Sequence, residues 1–124
     1  MNTATPGTID STNNLIASDR VVGTTVYSPT GDKLGTVERF MVDKMSGQAQ
    51  YAVLAFGGLF GIGHSHYPVP WKALDYDPDK GGYVVSMTKE QLESAPSYDS
   101  EGEEPVYDRA YGERVHTYYG FPYL

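Results

Sequence analysis

The sequence predicts an all-β domain, a small barrel or sandwich, with one short helix near the end of its folded core. Three observations carry this expectation. The chain is 124 residues long, which leaves room for one hydrophobic core. Apolar positions between Val21 and Val85 recur at a spacing near two instead of 3.6. The runs are short and are separated by clusters of Gly, Pro and Asp, the punctuation of an all-β chain.

Residues 1–14 are almost wholly Thr, Ser, Asn, Gly and Asp, too poor in apolar surface to offset the entropy of ordering them, and read as a flexible leader. Order is expected from Leu15 and Ile16 onward. The run "VVGTTVYS" is β-branched and aromatic, and "PTGD" after it supplies turn formers, giving a first strand and its hairpin loop. In "KLGTVERFMVDK" the alternation puts Leu34, Thr36, Glu38, Phe40 and Val42 on one face and Val37, Arg39 and Met41 on the other. The turn that follows ends in Gly47, which can take a positive φ.

The return strand, "QAQYAVLAF", is apolar on both faces, so it is expected at the centre of the sheet with a cover on its outer side. Pro68 and Pro70 remove two ladder donors from "HYPVPW" and confine that strand to an edge or a corner. "KALDYD" and "GYVVSM" form a further pair joined by the turn "PDKGG". Thr88 with Gln91 three residues later makes a capping box, and Pro96 ends the short helix that it opens. Too short to be stable alone, this helix must pack Leu92 and Ala95 on the sheet.

The segment "SDRVVGTTVYSPTGDKLGTVERFMVDKMSGQAQYAVLAFGGLFGIGHSHYPVPWKAL" resembles the PRC-barrel domain. That small barrel is shared by the cytoplasmic part of the photosynthetic reaction centre H subunit and the C-terminal half of a ribosome maturation factor. The carrying residues are Gly23, Val26 and Gly31, then "KLGTVERFMVDKMSGQ", "YAVLAFGG" and "YPVPWKAL", in that order and spacing. The resemblance covers about 15–98. It implies a six-stranded barrel that works as an adaptor and not as an enzyme, contacting other proteins or its own copy. Standalone bacterial members of this type are soluble single-domain proteins, often paired. The reaction-centre relative carries a membrane helix before its barrel and the ribosome factor an RNA-facing domain; neither has a counterpart in this sequence.

The remaining residues are 99–124, where Tyr98 and the tail together hold Tyr98, Tyr107, Tyr111, Tyr118, Tyr119 and Tyr123 of the chain's 11 tyrosines, with Phe121 among them. Disordered tails are poor in aromatics, so this one is expected to dock as an arm. Tyr107, Tyr111, Val115 and Tyr118 follow a helical stripe, with Glu103, Glu104 and Pro105 placed at its start and Gly112 weakening it. Its surface is the chain's own barrel, a second copy or another protein.

Motifs that carry chemistry are few. The order of Gly57, Gly58, Gly61 and Gly63 fits neither dinucleotide-binding nor P-loop patterns, so these glycines read as sharp turns at a barrel end. In a strand His64 and His66, two apart, face the same way, so both could reach one zinc or nickel ion at about 2.0 to 2.1 Å; two ligands do not make a site. A third ligand would come from His116, Asp32, Asp43 or Glu38, and the expectation is of two exposed polar residues flanking a turn. Trp71 reads as a core plug before it reads as a ligand-stacking platform. Asp75, Asp77 and Asp79 read as turn formers. Leu59 and Phe60, on a glycine-flanked loop, either fold back over the barrel or meet a partner.

A formal net charge of -7 opposes direct contact with nucleic acid, and the sequence has no cysteine for a thiolate nucleophile, a thiolate metal site or a disulfide. It also has no apolar run near the roughly 20 residues of a membrane span and no secretory signal, so a cytoplasmic protein is expected. The sequence thus predicts a non-enzymatic adaptor, without cofactor, that pairs with itself and meets a protein partner. Leu59, Phe60, Tyr107, Tyr111, Tyr118, Tyr119 and Phe121 are its expected contact residues. The alternatives are a small-ligand or metal module built on His64, His66 and Trp71, and an accessory factor in RNA processing or ribosome maturation.

Overall fold

A computed structural model describes residues 15–56, 65–99 and 102–123. A single turn of helix, α1 (Ser18–Val21), precedes strands β1 (Thr25–Tyr27), β2 (Lys33–Val42), β3 (Ala49–Ala55) and β4 (Ser65–Pro70). A 3-10 turn (Trp71–Ala73) leads into the hairpin of β5 (Leu74–Asp77) and β6 (Gly82–Val85). Helix α2 (Lys89–Glu93), the two-residue strand β7 (Tyr98–Asp99) and helix α3 (Arg109–Tyr119) complete the described elements.

All seven strands form one sheet in the order β5-β6-β1-β2-β3-β4-β7. Neighbours are antiparallel except β1 and β6, which run parallel and return the β5–β6 hairpin beside the first strand. The expected six-stranded closed barrel is therefore corrected to an open sheet of seven, because no pairing joins β5 to β7 among the described residues. The two prolines shorten the last pairing at one edge. β7 pairs only with Ser65 and His66, and beyond them Pro68 and Pro70 have no N–H with which β4 can extend that ladder.

The turns follow their residues. Gly47 takes φ 76°, and Asp77 forms its turn by accepting from the backbone N–H of Asp79 (2.9 Å). The capping box of α2 is complete: Gln91 N–H donates to the Thr88 hydroxyl at 3.0 Å and Thr88 N–H to the Gln91 side chain at 2.8 Å. Strand β2 departs from simple alternation, since Leu34 and Val37 are both buried. A bulge accounts for it: Val26 pairs with Gly35 and Tyr27 with Lys33, leaving Leu34 as the extra residue, and a second bulge, at Glu38 between the Val37–Leu54 and Arg39–Val53 pairs, brings Phe40 onto the face of Val37.

Directly paired residues share a face. One face therefore carries the rows Val37–Leu54–Tyr67 and Phe40–Ala52–Val69, joined in the core by Val26, Val85, Leu92 and Ala95. The opposite face carries Arg39–Val53–Pro68, Met41–Tyr51–Pro70 and Ala55–His66–Tyr98. β3 is buried on both, as its sequence requires, and the outer face is covered by the chain's own last described segment, 102–123.

Candidate interaction surface

Helix α3 has its stop signals at both ends. Asp108 accepts from the Tyr111 N–H at 3.0 Å, a side-chain N-cap, and at the other end Gly120 takes φ 80°. Gly120 N–H then donates to Thr117 O at 3.1 Å and Phe121 N–H to His116 O at 2.9 Å, closing the left-handed cap. The helix starts later than Glu103–Pro105 because Asp108 supplies the cap, and 102–108 instead crosses the sheet without regular structure.

Its buried stripe is Gly112, Val115 and Tyr119. Gly112, which reads as a weakness in a helix, is a contact. A Cβ there would meet the ring of Tyr123 and lie 2.8 Å from the Tyr51 hydroxyl oxygen. Around this point the rings interlock: Tyr51 lies 5.2 Å from Tyr107 and 5.4 Å from His116, and Tyr107 lies 5.2 Å from Tyr111. Arg39 on β2 donates to Glu104 at 3.1 Å across the exposed rim, and the Tyr118 hydroxyl donates to the Gln91 carbonyl oxygen of α2.

Burial sets the chemistry of the seam. It pushes the Tyr51 hydroxyl up to about 12, with the neighbouring Tyr123 and Tyr111 adding to the shift. Tyr107 and Tyr119 are raised for the same main reason, and Tyr98 and Tyr111 follow. The Tyr111 and Tyr119 hydroxyls and His66 Nδ1 are buried without a hydrogen-bond partner among the described residues. The two tyrosines are thus neutral, desolvated groups held among rings.

Of the expected contact residues, Tyr107, Tyr111 and Phe121 are half-buried against the chain's own core, Tyr119 is buried in it, and Tyr118 stays exposed at the rim. Leu59, Phe60 and His64 lie outside the described residues. His66 is not the exposed residue expected: it is buried on the outer sheet face, edge-on to Tyr98 at 5.2 Å. Trp71 is half-buried beside Phe40 (5.9 Å) and Tyr83 (5.8 Å), at the far end of β4 from His66, about 16 Å along the strand at 3.3 Å per residue. Trp71 borders a cleft of about 230 Å³ with Gln48, Gln50, Lys72, His116 and Tyr123, so these two residues do not line one pocket. No three of His, Asp and Glu come together as a metal set among the described residues. No described helix is long and apolar enough to cross a membrane.

Sequence reasoning missed Arg39, Tyr51 and Gln91 as the arm's receptors, and His116 as the arm's own contact with Tyr51. The available signal was the two-sided apolar character of β3, which demanded a cover without naming it.

A family model of the PRC-barrel domain matches residues 13–92. The chain is also similar to an uncharacterized protein of Deinococcus radiodurans, 34% identical over 77 residues. That match covers 62% of this chain and 27% of the relative, so the shared part spans about a quarter of the relative's length.

Proposed function

From the premise that the chain belongs to the PRC-barrel domain family, we propose that it is a non-enzymatic adaptor that acts through protein–protein contacts and associates with its own copy. The observation that carries this reading is the seated C-terminal arm. The outer face of β2, β3 and β4 receives the segment 102–123 through rings and a rim ion pair, which is the chemistry of helix recognition and not of turnover. The side chains gathered there are tyrosines whose hydroxyls burial keeps protonated, and a raised tyrosine is a poor base at neutral pH.

Further apolar surface is on offer at the β2–β3 hairpin, where Met45 is 95% exposed and Val42 stands beside it half in solvent. Cytoplasmic residence belongs to the same reading and accords with a sequence free of cysteine. The small-ligand alternative draws less support, since His66 faces Tyr98 and Trp71 faces the cleft. Light scattering of the full chain over a wide concentration range tests the proposal, which expects a mass that rises toward twice 13.6 kDa. A constant monomer mass counts against self-association.

A further inference from the structure

We propose that the C-terminal arm is exchangeable, so that two copies pair by each seating its α3 on the outer sheet face of the other. This inference rests on the self-association reading and supplies its mechanism.

The occupant is a second copy because the complement is already on the page. Whatever Tyr51 and Gln91 accept from α3 of their own chain, an identical α3 from another chain also supplies. The arm is a self-contained unit, capped by Asp108 at one end and Gly120 at the other, so it keeps its helix ends satisfied when it leaves. Its tether is suitable: residues 102–108 form neither helix nor strand, and seven residues reach about 23 Å at 3.3 Å each.

The seam is also not locked. Its ion pair is exposed on both sides, 47% and 44%, and such pairs hold weakly. The Tyr111 and Tyr119 hydroxyls are buried without partners among the described residues, which lowers the net gain from docking. Yet an undocked arm would leave Val53, Pro68 and Tyr51, all buried now, facing water. An open arm is therefore driven to close again, on its own sheet or on a neighbour's, and concentration decides between them.

The sequence has no cysteine, so an introduced pair of thiols is unique. In full-length Gln91→Cys/Tyr118→Cys protein, whose second thiol sits on α3 itself, the dimer fraction is isolated by size exclusion, treated with a short thiol–thiol crosslinker and denatured. Exchange predicts that most crosslinked product runs as a covalent dimer, while the monomer fraction crosslinks within one chain. A dimer fraction whose links stay within single chains overturns arm exchange and leaves self-association standing. Absence of any dimer fraction overturns both. The pair Tyr51→Cys/His116→Cys, which also joins the sheet to α3, repeats the measurement should the first variant not fold.

Discussion

Gly112 and Tyr51 meet where the arm lies closest to the sheet, at a spacing that leaves no place for a side chain: a Cβ on Gly112 would lie 2.8 Å from the Tyr51 hydroxyl oxygen. Helix propensity alone says that Gly112→Ala stabilises α3 by about 1 kcal/mol. Overpacking against Tyr51 and Tyr123 costs about 1 to 3 kcal/mol and outweighs it. Gly112→Ala is expected to lower the stability of the full chain by about 1 kcal/mol, read from the shift of its urea midpoint. A midpoint that rises would mean that the arm is not seated against Tyr51.

Val115 is wholly buried under the arm, whereas Val106, a few residues earlier in the same tail, is 78% exposed. Val115→Ala removes buried methyl groups and leaves a cavity, so it should cost about 2 kcal/mol. Val106→Ala should change stability by less than about 0.5 kcal/mol. Equal effects from the two substitutions would contradict the docked arm.

The Arg39–Glu104 pair bridges sheet and arm at the rim. Being exposed, it should contribute at most about 1 kcal/mol in a double-mutant cycle with Arg39→Gln and Glu104→Gln, and less as salt is added. A larger, salt-independent coupling would place the pair in a dry interface.

Burial holds Tyr51 near 12 and raises Tyr107 and Tyr119 as well, while an unfolded tyrosine ionises near pH 10. Because the folded pKa is the higher one, the unfolded chain loses its protons first as pH rises. Stability is therefore flat with respect to these groups below pH about 10 and falls between about 10 and 12 as Tyr51 passes through its folded value. A tyrosinate absorbance titration should show a late-ionising set in the native chain that is absent in denaturant. Coincident native and denatured titrations would contradict the buried seam.

Much of the sheet was legible because its signals are local. Alternation, the turn at Gly47, the Thr88–Gln91 box and the two prolines each act within a few residues, and the structure places them as their chemistry requires. The bulge at Glu38 was not legible, since it is set by the register of β2 against β3 and not by either strand alone. The same holds for the arm. Its aromatic content announced docking, but Tyr119 and not Tyr118 turns inward, and Gly112 is a contact and not a flaw, because both depend on packing against residues far earlier in the chain, Tyr51 in the case of Gly112. Closure was expected from the family's shape; the sheet stays open, with the short β7 at one edge beside Pro68.

Self-association is tested most directly by light scattering of the full-length chain at low and moderate salt. Each copy carries a net charge of -7, so two copies repel and added salt should favour pairing. The expected result is a mass that climbs from 13.6 kDa toward twice that value with concentration, and does so at lower concentration in the higher salt. A mass of 13.6 kDa at every concentration and salt would contradict the account.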